Sequence, residues 1–157
     1  MNKGVKMKIG VILSGCGVQD GSEIHEAVSA LINIALRGHT AQCIAVDKLQ
    51  SSVVNHHKGE KMDEKRNVIV EAARIARGKI IKISEVKLDE YDAFILPGGF
   101  GAATNLSNFA TKGADCEVDR ELEDLLVKAK NLGKALGFMC IAPVIAARLF
   151  GSQGEEL

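Results

Sequence analysis

A chain of 157 residues is about one domain's worth, long enough to bury roughly two-thirds of its unfolded surface in a single core. Its 20 basic and 20 acidic side chains cancel, so no overall field draws it to nucleic acid or to an anionic membrane. Aromatics make up only 4% with no Trp, which argues against a base-stacking platform, and no apolar run reaches the roughly 20 residues that cross a bilayer.

Residues 1–6 are basic, but the apolar run 9–13 is shorter than the core of a secretory signal, about 7–15 residues. Cys16, Cys43, Cys116 and Cys140 are widely spaced with no C-x-x-C, which fits free thiols in a reducing compartment. These features predict a cytoplasmic protein.

In chain order, residues 8–14 (KIGVILS) are a β-branched apolar run that breaks at Gly15-Cys16-Gly17, the pattern of a buried parallel strand entering a loop. Asp20 and Glu23, three apart, read as an N-terminal capping pair. Ile24, Ala27, Val28, Leu31 and Ala35 then recur at helical spacing, and Gly38 supplies the stop. Residues 40–46 form a second strand. This β-α-β order implies a right-handed crossover and a parallel sheet. Residues 47–65 are polar, with Asn55-His56-His57 and a charged run, and read as a surface excursion. A helix is predicted over 68–76, a strand over 79–83, and a buried strand over 93–96 that stops at Pro97-Gly98-Gly99. A charged amphipathic helix over 117–132, a last strand over 135–138 and a helix over 142–150 follow, with Pro143 tolerated near the helix start. No repeat or linker interrupts the chain, which reads as one doubly wound α/β domain.

Ligands of such sheets bind outside the carboxyl ends of the strands, where crossovers diverge. Three segments arrive at that edge: 15–21, 97–101 and 139–141. In the third, Cys140 stands between a strand and a helix, where a strained turn presents a nucleophile and the following N–H is free for an oxyanion. A helix N-terminus beneath the sulfur favours thiolate. The same residue could equally be a buried small hydrophobe. The glycines of Pro97-Gly98-Gly99-Phe100-Gly101 let backbone approach a ligand, so an N–H of this loop and that of Ile141 would make a two-donor oxyanion hole. Glu23 and Glu26, in the first turns of the first helix, offer a general base, and either could face the sulfur. His25, His56 and His57 read as packed or solvated surface residues. Nothing has metal-ligand spacing. The glycines at 15, 17 and 21 miss the dinucleotide fingerprint by one residue, and no acid ends the second strand at the required distance.

Taken together, the stretches GVILSGCGV (10–18), DGSEIHEAV (20–28), LPGGFGAA (96–103), NLSNFA (105–110) and GFMCIAP (137–143) resemble the ElbB (enhancing lycopene biosynthesis) proteins. These belong to the PfpI-like branch of the class I glutamine-amidotransferase-like superfamily. The resemblance runs from about residue 8 to 150. It implies a flavodoxin-like α/β fold, a mainly parallel sheet with helices on both faces, in a single domain spanning 1–157 that lacks its C-terminal part. It further implies a homodimer, Cys140 as the elbow nucleophile, Glu26 rather than Glu23 as the facing carboxylate, and oxyanion donors at the N–H groups of Gly99 and Ile141. The associated activity is a cofactor-independent, metal-free glyoxalase reaction that turns glyoxal or similar small dicarbonyls into hydroxy acids. Two departures matter: Ile141 stands where superfamily proteases often have His, and no His follows Cys140, so a Cys-His-Glu triad within the chain is unsupported. The alternative from another class is a non-catalytic thiol redox sensor, and an isoprenoid-pathway accessory role rests on the family name alone.

Overall fold

Five of the apolar runs become strands of one sheet, buried most fully at its centre and only partly at its two edges. The computed structural model describes residues 5–151. In chain order the elements are β1 (Lys8–Leu13), α1 (Ile24–Leu36), β2 (Thr40–Ala45), β3 (Val53–Asn55), β4 (Glu60–Met62), α2 (Val68–Ala76) and β5 (Ile80–Lys82). They continue with β6 (Ala93–Leu96), α3 (Gly101–Thr104), α4 (Phe109–Lys112), α5 (Arg120–Asn131), β7 (Ala135–Phe138) and α6 (Pro143–Phe150).

The main sheet has the order β5-β2-β1-β6-β7, and every pairing in it is parallel. Strand β1 is central, with Gly10 opposite Gln42 of β2 and opposite Phe94 of β6. From β1 the chain winds outward through β2 and β5, and then returns to wind the other way through β6 and β7. Right-handed crossovers running in opposite directions put α1 and α2 on one face and α5 on the other. The strand order therefore reverses between β1 and β6, and the loops leaving those two strands meet there. This is the flavodoxin-like, doubly wound α/β architecture.

The core fills both sides of β1 and β6. Val11, Ile12, Leu13, Phe94 and Leu96 are fully buried among Ile44, Leu122, Leu126 and Ile145. Phe94 lies directly over Gly10: a Cβ there would stand 2.5 Å from Phe94 Cδ1, so β1 needs glycine to seat the ring. Tyr91 stacks on the same ring at 5.2 Å between centroids.

Three sequence expectations change. The capping pair is not Asp20 with Glu23: Glu23 is itself the N-cap of α1, accepting from the Glu26 N–H at 2.7 Å. Asp20 is buried and accepts from the Val54 N–H at 2.8 Å instead. The excursion over 47–65 contains an antiparallel hairpin, β3 with β4, anchored to the 15–21 loop by that bond and by the Gln19 N–H donating to His56 Nε2 at 3.1 Å. The helix expected from residue 117 begins at Arg120, because the Asp119 side chain caps it and Val118 bridges to Ser107. Strands β6 and β7 and helix α2 fall on the residues the sequence predicts.

Replacing Phe94 by Ala should lower the unfolding free energy by about 3–5 kcal/mol, read from denaturant midpoints at constant m-value. A loss below about 1 kcal/mol would show that the ring over Gly10 does not organise the core.

Candidate active site

The site forms where the 97–101 loop after β6 closes on the loop after β1. Three backbone hydrogen bonds lock them: Phe100 N–H to Val18 O at 2.7 Å, Gly101 N–H to Gly21 O at 3.0 Å, and Glu23 N–H to Gly98 O at 2.9 Å. Gly99 takes φ +96°, and a Cβ on it would lie 2.3 Å from Gly21 O and 2.4 Å from Glu23 N. No side chain fits. The buried Asn105 amide ties the same corner from below, donating to Ser14 O at 2.9 Å and to Asp20 O at 2.8 Å, and its Oδ1 accepts from the Ser51 N–H.

Cys140 sits immediately beyond β7, exposed, with φ +55°. Only Arg77 shares a positive φ among the described non-glycine residues, and Arg77 is the left-handed C-cap of α2. A left-handed conformation costs a non-glycine residue roughly 1–2 kcal/mol, so the fold imposes it. The Met139 N–H donating to Leu96 O at 3.0 Å, and the Ala142 N–H donating to Met139 O, hold the turn from both sides. Three residues later Pro143 starts α6, so the sulfur stands near a helix N-terminus.

Glu26 reaches this turn from the first turn of α1. Its Oε2 accepts the Gly98 N–H at 2.7 Å. A Cβ on Gly98 would stand 2.4 Å from Cys140 Cβ and 2.8 Å from Glu26 Oε2. The cysteine and the carboxylate thus converge on the space that Gly98 leaves open. Gly98 spends its N–H on Glu26, whereas the Gly99 and Ile141 N–H groups donate to nothing among the described residues.

Of the residues singled out by sequence, the structure brings together Cys140, Glu26, Gly99 and Ile141. Glu23 turns away: its Oε1 pairs with His25 Nδ1 at 2.8 Å, and that bond, followed by the Glu26 N–H, holds its carboxyl below the ordinary value. His25 is 94% exposed at the side chain. His56 is spent on the hairpin anchor. Its Nε2 takes the Gln19 N–H, and Nδ1 faces Val54 O at 3.1 Å, which fits an Nδ1–H tautomer. The other thiols differ in kind. Cys43 and Cys116 are buried, burial pushes Cys43 up to about 11, and burial with Glu71 nearby raises Cys16. Among the described residues no three His, Cys, Asp or Glu side chains gather as a metal site. A groove of about 280 Å³ beside α6, lined by Phe109, Cys116, Val144 and Arg148 among others, includes none of the Cys140, Glu26 or Gly99 groups. The chemistry is not there. Sequence reasoning missed Asn105 and Asp20 as the site's scaffold, since a buried Asn or Asp carries no local pattern that separates it from a surface one.

A parallel, doubly wound sheet with a strained cysteine at its carboxyl edge and a helix-borne carboxylate opposite defines a glutamine-amidotransferase-like domain. No protein-family model matches the chain. It is 48% identical over 151 residues to the human "Glutamine amidotransferase-like class 1 domain-containing protein 3, mitochondrial", a match spanning 96% of the chain and 56% of that protein. It is 36% identical to the crystal structure of an "isoprenoid biosynthesis protein with amidotransferase-like domain" from Ehrlichia chaffeensis, with TM-score 0.89, covering 93% of the chain and 69% of that structure. The chain belongs to this glutamine-amidotransferase-like class 1 domain family. A ThiJ/PfpI domain protein from Brachyspira murdochii shares the fold alone, at 16% identity and TM-score 0.54 over 93% of the chain and 65% of that structure. The chain spans a little over half the length of the curated relatives it matches.

The expected cytoplasmic location is corrected by these matches, since the curated relatives are mitochondrial proteins by name. Zero net charge and free thiols fit any reducing surroundings and cannot tell one such compartment from another.

Alkylation of the folded protein at pH 8, read per cysteine by mass spectrometry, should modify Cys140 first and leave Cys43 and Cys116 untouched until denaturant is added. Equal labelling of Cys140 and Cys43 would contradict the exposure and burial described for them.

Proposed function

We propose that the chain is a cofactor-independent, glyoxalase-like enzyme that converts glyoxal or similar small dicarbonyls to hydroxy acids. One observation carries the reading: the Cys140 Cβ and Glu26 Oε2 both border the single space left by the missing Gly98 side chain. The likeness of the sequence to the ElbB proteins supports the substrate class.

The Cys140 thiolate adds to one aldehyde carbon, forming a C–S bond and an alkoxide. The Gly99 and Ile141 N–H groups, which have no other acceptor among the described residues, bind that oxygen. Protonated, it gives a hemithioacetal. Glu26 then removes the hydrogen from the sulfur-bearing carbon, leaving an enediol, and returns a proton to the neighbouring carbon. That carbon is reduced and the sulfur-bearing one oxidised, so no outside oxidant or hydride carrier is needed. The product is a hydroxyacyl thioester on Cys140. Water hydrolyses it, releasing the hydroxy acid and the thiol. The Gly98 N–H bond fixes one carboxylate oxygen of Glu26 and leaves the other for the proton.

Glycolate formed from glyoxal, followed by NMR, tests this directly. Wild-type protein should turn over, Cys140→Ser should abolish the reaction, and Glu26→Gln should slow it by about 10²–10⁴-fold while Cys140 stays alkylatable. No glycolate from the wild type, with Cys140 oxidised stepwise by peroxide, would sink the enzyme reading in favour of a thiol sensor, a role that an exposed cysteine beside a carboxylate also suits.

A further inference from the structure

One peptide unit, the one joining Val18 to Gln19, is held at both ends. Its C=O accepts the Phe100 N–H at 2.7 Å, and its N–H donates to His56 Nε2 at 3.1 Å. A peptide unit is planar, so fixing its N–H also fixes the direction of its C=O. That direction matters one residue before Phe100. The N–H of Gly99 lies in a peptide flanked by two glycines, which offer no side chain to hold it. Hydrogen bonds on its two flanks hold it instead: Glu23 N–H to Gly98 O at 2.9 Å, and Phe100 N–H to Val18 O. The second of these is only as firm as the Val18–Gln19 unit behind it.

We propose that His56, on the β3–β4 hairpin, is a positioning residue for the Gly99 oxyanion donor, and that it acts only as the neutral ring. The imidazole lies against Gly17, where a Cβ would stand 2.5 Å from Nε2, so the ring takes the room a side chain at 17 would need. Gln19 Nε2 reaches back to His56 O at 3.4 Å and closes a second link between the same two residues. The bond from the Gln19 N–H needs a lone pair on Nε2. A protonated ring carries a hydrogen on both nitrogens and accepts nothing. Nδ1 already faces Val54 O at 3.1 Å, so Nε2 is the nitrogen that an added proton must take.

A different acceptor stands ready for that proton. Asp20 Oδ1 lies 3.8 Å from Nε2, while Oδ2 of the same carboxylate holds the Val54 N–H at 2.8 Å. Neutral, the ring braces the Val18–Gln19 unit. Protonated, it pairs with Asp20 and leaves the Gln19 N–H without its acceptor. Among the described residues Asp20 is the one acid within ion-pair reach of the ring. Arg66 and Cys16 stand close enough to Asp20 to feel its charge, and His57, Lys58 and Glu60 of the hairpin segment are exposed. The His56 side chain is itself 38% exposed, so solvent protons reach it. The sign follows: the brace is present while the ring is uncharged and is lost as acid charges it. Its service to an oxyanion rests on the proposed reaction, whereas the brace itself rests on geometry alone.

Amide hydrogen exchange of the full chain, followed by NMR without substrate, tests the brace. At about pH 7 the Phe100 amide should exchange about tenfold faster in His56→Ala than in the wild type, with unchanged circular dichroism and unchanged Cys140 alkylation. His56→Gln, whose side-chain oxygen accepts where Nε2 does and takes no proton, should restore the protection. At about pH 5 the wild type should exchange as His56→Ala does at that pH, while His56→Gln stays protected. Where His56→Ala does not fold, the wild type against His56→Gln across pH decides alone. In glyoxal turnover His56→Ala should lower kcat about tenfold with KM little changed, and His56→Gln should recover most of that loss. Phe100 protection that ignores His56→Ala, or that falls with acid equally in the wild type and His56→Gln, overturns the proposal. So does an exposed Phe100 amide with kcat unchanged. Protection that follows His56 in a wild type that makes no glycolate supports the brace and sinks only the reaction.

Discussion

The hydrogen bond from the Gly98 N–H to Glu26 Oε2, 2.7 Å long, is the contact on which the site depends. It joins the first helix to the loop after the fourth strand of the main sheet in chain order, across 72 residues of sequence. It also fixes a carboxylate beside an exposed thiol, where an unrestrained side chain would turn to water. The bond needs a glycine at its donor, because a Gly98 methyl would stand 2.4 Å from Cys140 Cβ. Position 98 is thus constrained by what faces it on two sides, not by its own backbone conformation. Position 99 is constrained by both, with φ +96° and the Gly21 carbonyl 2.3 Å from any Cβ.

Around this contact the fold supplies rigidity without using the reactive groups. Asn105 spends its whole amide on the backbone of β1's exit and on Ser51, and Asp20 spends a carboxylate oxygen on the hairpin. Each is buried and hydrogen-bonded, so neither leaves an orphan polar group, and both loops are held from beneath. Among the described residues, what remains free to meet a ligand is one strained cysteine, one carboxylate oxygen and two N–H groups. A small electrophile is the size of partner that such a set can surround.

Much of the sheet was legible because buried parallel strands are short apolar runs bounded by glycine and proline. Residues 93–96 before Pro97 and 135–138 after Gly133 needed no tertiary information. Hairpin β3–β4 was not legible: β4 is Glu-Lys-Met with every side chain exposed, so neither alternation nor apolarity marks it. Helices α3 and α4 were missed for a related reason, since four residues each is too short for a helical period to show. At the site, the cysteine's position between strand and helix could be read, and its positive φ could not. The choice between Glu23 and Glu26 was beyond spacing alone, because residues three apart share a helix side. Resemblance chose Glu26, and the geometry follows from Glu23 being used as the cap of its own helix.

The central claim is that Glu26 moves a proton between the two carbons of a substrate held on Cys140. Turnover of glyoxal in D₂O tests it most directly. The account predicts glycolate carrying one deuterium on its CH₂ carbon, because the proton that Glu26 removes exchanges with solvent before one returns. Glycolate whose carbon-bound hydrogens all come from the substrate, as a direct hydride shift would give, would contradict the solvent-exchanging proton transfer described for Glu26.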